Sequence, residues 1–461
     1  MHPRPGAPRP LLPALLGLPA LLVLRFLLVL VVSLGLTAGM LSPAQAANKP
    51  TPGNFTGYGF DQCLTPTQAK MDAWLDSSPF LAVGIYISGN SRACRVQPNL
   101  TPTWVSTQLQ KGWRLLPITL GPQASCLKRF PRYGDDPVII DDPGTDGHYR
   151  SARLQGRREA ATAVQAAAAL GIVPGSVLWY DLEGFDDSKT DCRESALAFL
   201  SGWSTRIKKL GYYSGVYSSA GSGIRQLDLV RTERPGLYVL PDYLWIARWD
   251  GVANTSTSYI PDDGWQPHRR IKQYLGGHDE TWGGVTINID RNFLDVGKGS
   301  VAPAETHCRG VELGFPTYRT LVPGKKRPYL TLALKCLLKE RGYYRGTMSY
   351  GYGPAIIRAA RSWQVKHGFA ASDRFTRKHW VALLSQGNTP VLKYGSGSKF
   401  VRRVQRAMNA ARTSAQTPLA ITGVYDATTV RALRAWQASV GLPVTGVVAG
   451  DSWAALHAGK R

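Results

Sequence analysis

Val177-Leu178-Trp179-Tyr180-Asp181-Leu182-Glu183 is an apolar run ending on two acids, and it follows the Ala-rich segment Arg150–Leu170 with its Gly171 stop. The run has the length and the aromatic content of a buried strand. The Ala-rich segment has the composition and glycine terminator of a helix. The same alternation extends outward in both directions. Strands are predicted at Gly57–Asp61, Leu81–Ile87, Arg114–Leu120, Val177–Glu183, Ser214–Ser219, Tyr243–Trp249, Arg270–Leu275 and Thr286–Asp290. Helices between them include Pro66–Leu75, Thr103–Lys111, Arg150–Leu170 and Arg193–Leu210. Eight strands in roughly 240 residues is the count and size of a (β/α)8 barrel. A doubly wound sheet also alternates, but no glycine-rich phosphate loop follows the first strand. The expected fold class is α/β, a TIM-like (β/α)8 barrel over residues 57–299.

In such barrels the reacting groups sit at the C-terminal strand ends. Four predicted strands end in acids there: Asp61, Asp181 with Glu183, Asp250, and Asp290. Strand alternation puts Asp181 and Glu183 on one face. Carboxylates that near each other repel, which raises the pKa of one and favours its protonated form. Glycosidic cleavage uses that pairing, an acid for the leaving oxygen and a carboxylate for charge or attack. The plain alternative is an exposed strand end that carries acids for solvation alone. Other chemistries find no footing. No histidine stands at zinc-ligand spacing, no Gly-x-Ser-x-Gly elbow is present, and no cysteine has a nucleophile's context. Neither a metal nor a cofactor is expected.

Gly59-Phe60-Asp61, Tyr180-Asp181-Leu182-Glu183, Gly215-Val216-Tyr217-Ser218-Ser219, Leu244-Trp245-Ile246-Ala247-Arg248-Trp249, Lys272-Gln273-Tyr274 and Asn288-Ile289-Asp290-Arg291-Asn292 resemble landmarks of the family 25 glycoside hydrolases, the muramidase type. The closer resemblance, over nearly all of residues 57 to 297, is to the secreted actinobacterial glycoside-hydrolase-like domains related to that family. The resemblance implies Glu183 as the acid and Asp61, Asp181 and Asp290 as supporting aspartates. It further implies a sugar groove lined by Tyr217, Trp245, Gln273 and Tyr274, where aromatic faces stack on pyranose rings and amides bond hydroxyls. The connection from Gly121 to Tyr149 departs from the pattern in its length and its content of Pro, Gly and Asp.

Arg358, Arg361, Trp363, Gln364, Gly368, Trp380 and Leu383 recur 73 positions later as Arg431, Arg434, Trp436, Gln437, Gly441, Trp453 and Leu456. Each copy reads as a small helical module. Leu330–Leu338 and Val401–Met408 supply a first helix, and Pro390 with Gly395-Ser396-Gly397-Ser398 separates the copies. The second copy, with Val404-Gln405, Thr422-Gly423-Val424-Tyr425-Asp426, Trp436-Gln437 and Gly441-Leu442-Pro443-Val444-Thr445-Gly446, resembles the peptidoglycan-binding domain 1 family. The first copy keeps the spacing but matches the turn at Ser349–Gly353 only loosely and lacks the second glycine. A linker over 300–314 and two all-α peptidoglycan-binding modules, 315–387 and 390–461, are expected, serving as wall anchors or as structural spacers.

Residues 1–46 read as a signal peptide. Arg4 and Arg9 precede an apolar stretch from Leu11 to Leu41, interrupted by Arg25, and Ser42-Pro43-Ala44-Gln45-Ala46 is a small-x-small cleavage site. A mature chain outside the membrane, secreted or wall-associated and without a stable span, is expected. Export makes the six cysteines disulfide candidates. Sequence neighbours suggest Cys63–Cys94, Cys126–Cys192 and Cys308–Cys336. The net charge of +24 suits an anionic envelope partner, and no nucleic-acid motif accompanies it. The expectation is a monomeric wall glycosidase acting on peptidoglycan or a related anionic polysaccharide. The rival is a non-catalytic wall protein whose barrel only holds glycan.

Overall fold

The computed structural model describes residues 47–127 and 136–461. The expected signal peptide, 1–46, lies outside the described residues. Among those described, no helix is long and apolar enough to cross a membrane.

Eight strands close in sequence order into a barrel: β1 Phe55–Asp61, β2 Ala82–Ser88, β3 Arg114–Thr119, β4 Val177–Asp181, β5 Tyr213–Ser219, β6 Tyr243–Ala247, β7 Arg269–Trp282 and β8 Val285–Val296. The TIM-like barrel is therefore present, with one change. Pairs β1 to β7 run parallel, whereas β8 is antiparallel to both β7 and β1. The two-residue turn Gly283-Gly284, with φ of +58° and +76°, leaves no room for a crossover helix, so the chain doubles straight back. Both arms outrun the predicted strands. Asp290 thus sits within β8 rather than at a strand end, and register places it directly opposite Asp61.

The helices predicted between strands are found at α1 Gln68–Ser77, α2 Pro102–Lys111, α3 Arg150–Ala169 and α4 Thr190–Lys209, followed by α5 Arg225–Glu233. They cover the barrel wall with a core in which Phe60, Trp74, Phe80 and Trp113 pack ring against ring. The three expected disulfides are formed. Cys308–Cys336 ties the segment after the barrel to the first helix of the C-terminal region.

That region holds α6 Pro328–Glu340, α7 Pro354–Lys366 and α8 Arg377–Ser385 from the first copy, then α9 Lys399–Ala411, α10 Ala427–Ser439 and α11 Gly450–His457 from the second. One apolar core runs through both copies and buries Trp363, Trp380, Trp436 and Trp453 together. The repeated glutamine explains part of the sequence echo. Gln364 Nε2 donates to Arg374 O while its Oε1 accepts from Ser372 N; Gln437 does the same with Val447 O and Gly446 N. Each closes the turn after its helix. Gln405 clamps Gly423 and Val424 in the same manner, but in the first copy Lys335 reaches Ser349 instead.

The segment expected to separate the copies is no free spacer. Gly395 O accepts from Ser300 Oγ, and Tyr394 packs against Tyr58 and Phe293 of the barrel wall. Lys393 is buried, and its Nζ donates to Trp74 O, Ser78 O and Phe80 O at 3.2, 2.9 and 3.2 Å. Those carbonyls lie at the C-terminus of α1 and just before β2, on the N-terminal side of the barrel. The modules are therefore seated on the end opposite the strand-end acids.

Candidate active site

Asp61 ends β1 with its side chain inside the barrel, 4% exposed. Gly84 on β2 makes this placement fit, since a Cβ there would come within 2.5 Å of Asp61 Cβ. Asn292 Nδ2 donates to Asp61 Oδ1 at 2.6 Å and Gln273 Nε2 at 3.3 Å. Burial and the facing Asp290 push the Asp61 carboxyl up to about 8, against the pull of those two amides. Burial likewise raises Asp290 to about 6, opposed by the backbone amide of Gly277 and by His278. Neutral pH therefore finds a proton held on this pair, because two buried carboxyls this near cannot both ionise cheaply.

Asp181, 2% exposed, ends β4. Tyr86 OH donates to its Oδ2 at 3.4 Å. Strand β4 stops there, so Glu183 lies in the turn beyond rather than on the strand, half-buried. One amide fixes the geometry of this turn. Gln123 Nε2 donates to Asp181 O, and its Oε1 accepts from Glu183 N, both at 2.9 Å. All four carboxyls bear on one phenol: after burial, Asp181, Glu183, Asp61 and Asp290 each raise Tyr217. Tyr217 OH donates to Gln273 Oε1 at 2.9 Å. Asp61, Asp181, Glu183, Asp290, Tyr217 and Gln273 thus converge on one end of the barrel. Asp61 with Asp290 is thus a raised pair beside the Asp181 and Glu183 that the sequence pattern singled out.

Two predicted groove residues are elsewhere. Trp245 is 1% exposed inside the barrel, edge-on to Trp179 and Tyr217, with Nε1 donating to Asn292 Oδ1 at 2.7 Å. It braces the amide that holds Asp61 and offers no open ring face. Tyr274, 5% exposed, follows Gln273 on β7 and so points outward, against Arg291. Asp250 is corrected too. It lies past β6 and pairs with buried Lys272 at 3.0 Å, which also donates to Asn254 Oδ1 and Ser256 O and so pins that loop.

Trp249, just past β6, is 64% open to solvent. Its Nε1 donates to Gln273 Oε1 at 2.9 Å, and its ring lies where a Cβ on Gly276 would fall, 2.3 Å away. Gln123, Asn292, Tyr86 and Trp249 carry no motif-level signal of their own; only Trp249 and Asn292 fall within stretches marked by resemblance.

The Asp61 proton has a measurable consequence. The unfolded chain releases it near 3.8 and the folded chain holds it to about 8. Between those values the folded state binds more protons, so stability falls as pH rises. Asp61→Asn is expected to flatten that decline. Thermal melts of both proteins from about pH 5 to about pH 9 check it, and parallel slopes would count against a protonated Asp61.

Residues 72–294 match the family model of the Rv2525c-like, glycoside hydrolase-like domain, and residues 397–456 match that of the peptidoglycan binding domain. No curated protein is significantly similar to the chain. Among solved structures, an uncharacterized B. stearothermophilus protein is 18% identical, covering 52% of this chain and 95% of that one, with a TM-score of 0.31. The Mycobacterium tuberculosis Tat-secreted protein Rv2525c, solved with L-tartrate, is 14% identical over 52% of this chain and 95% of its own, with a TM-score of 0.34. The Cpl-1 endolysin, solved with a peptidoglycan analogue, is 15% identical over 55% of this chain and 57% of its own, with a TM-score of 0.29. The chain thus joins a barrel that matches the Rv2525c-like, glycoside hydrolase-like model to a C-terminal region that matches the peptidoglycan binding model.

Proposed function

We propose that this protein is an exported cell-wall glycosidase that cuts the glycan strand of peptidoglycan or a related envelope polysaccharide. The observation that carries it is the convergence of Asp61, Asp181, Glu183 and Asp290 on one barrel end. Glu183, less buried than Asp181 before it, protonates the leaving oxygen. Asp61 keeps its own proton at neutral pH and so orients by donating a hydrogen bond. Stabilising the oxocarbenium-like state, or holding the substrate's N-acetyl group against it, falls to Asp181. The N-terminal apolar segment exports the chain, and the C-terminal modules bring it to the wall.

Purified walls test this directly. Wild type is expected to release reducing ends and clear turbidity. Intact wall binding with no release would overturn the enzyme reading in favour of a barrel that only holds glycan, which the deep burial of Asp61 and Asp181 would then explain.

Trp249 is the sugar platform in this reading. Trp249→Ala is expected to weaken binding of soluble glycan fragments about tenfold. Gly276→Val should do nearly the same by displacing the ring without touching it chemically. Calorimetric titration measures both, and unchanged affinity in the pair would remove Trp249 from the site.

A further inference from the structure

We infer that the cleft reads a negatively charged group on the glycan, a carboxylate or a phosphate, and that Arg92 is the residue that reads it; this rests on the glycosidase reading above. A cavity of about 240 Å³ adjoins the acids, walled by Asp61, Asp290, Tyr86, Arg92 and the Cys63–Cys94 disulfide. It is smaller than a drug-sized pocket and suits one sugar unit or its substituent. Asp61, Asp290, Gln62 and Asn288 make much of its lining polar, and Arg92 is the cation among them.

Arg92 is held in place by two backbone carbonyls. Its Nε donates to Gly89 O at 2.7 Å and its Nη1 to Tyr86 O at 3.3 Å. Gly89 has φ of +97°, and a Cβ there would fall 2.1 Å from Leu120 O, so only glycine can present that carbonyl. The disulfide closes the loop two residues further on. Tyr86 links the two halves of the site, since its carbonyl holds Arg92 while its hydroxyl reaches Asp181.

Among the described residues the Arg92 guanidinium forms no ion pair, and Glu159 on α3 acts on it only at a distance. Burial and Arg95 hold Arg92 below its usual range. A half-buried, pre-aimed cation of this kind gains most from an anionic oxygen group, which it can meet with its remaining N–H donors. The sugar lodged between the acids and the disulfide would carry that group, so an uncharged glycan would be the poorer ligand.

The experiment uses the whole chain carrying Glu183→Gln, so that ligand is not consumed, with and without Arg92→Met or Arg92→Lys. Three β-1,4-linked tetrasaccharides of equal length serve as probes in calorimetric titration: one with free lactyl carboxylates, one with 6-phosphates, one neutral. The expected result is about tenfold tighter binding of a charged probe, lost in Arg92→Met and partly kept in Arg92→Lys, with the neutral probe unaffected by either change. The carboxylate and phosphate arms tell which group is read. Equal binding of charged and neutral probes, or a loss on all three when Arg92 is replaced, would overturn the inference, the latter by making Arg92 a loop pin only. Failure of every probe to bind the parent protein would instead sink the glycosidase reading, and this inference with it.

Discussion

Glu183→Gln is expected to lower release of reducing ends from purified walls by about a thousandfold while leaving wall binding unchanged. The amide keeps the size and polarity of the side chain but has no acidic proton for the leaving oxygen. Its backbone N–H stays bonded to Gln123 Oε1, so the turn after β4 is not disturbed. Binding survives because the modules sit on the other end of the barrel. Asp181→Asn should also be slow, through loss of charge rather than of a proton, and the two variants separate by adding a substrate with a good leaving group. Such a substrate needs no acid, and it rescues Glu183→Gln but not Asp181→Asn. Undiminished release by Glu183→Gln would place the acid elsewhere.

Lys393→Glu is expected to unseat the C-terminal modules from the barrel. Three carbonyls converge on Nζ, which matches the three donors of an ammonium, and they stand at a helix C-terminus that favours a cation. Trp113 adds its ring face at 5.5 Å. Burial lowers this amine to about 7, with Asp76 opposing, yet each acceptor around it is satisfied best by the protonated form. A carboxylate in the same place meets only lone pairs, and an uncompensated buried charge costs about 3–5 kcal/mol. Lys393→Met fills the same space, loses only the donors, and should cost about 1–3 kcal/mol. Small-angle scattering and limited proteolysis near residues 297–303 and 388–398 would report an extended, cleavable chain for the glutamate variant. A compact, resistant Lys393→Glu protein would show that the seat does not depend on this contact.

Much of this architecture is legible in the residues. Strand order, the helices between strands and the acids ending β1 and β4 follow from periodicity, because a barrel strand buried on both faces leaves a clear apolar run. The repeat is legible because Trp and Gln at fixed spacing do the same structural work twice. The reversal of β8 is not, since Gly276-Gly277 breaks the alternation of β7 and hides how far the arm extends. Trp245 lies within β6 and Trp249 two residues past its end; depth along the barrel separates the strut from the open platform. Depth is a property of the closed sheet and has no local signature. Lys393 is more opaque still. In sequence it is one lysine among many in a strongly basic chain, and its burial is decided by a helix end more than 300 positions earlier.

The seat beneath the barrel changes what anchoring accomplishes. A module on a slack tether lets its catalytic partner sweep the neighbourhood of the strand it holds, and gains by local concentration. Here the modules and the cleft stand at opposite ends of one body, with Lys393, Tyr394 and Gly395 as the joint. The spacing between modules and cleft is then set by packing rather than by the length of a linker.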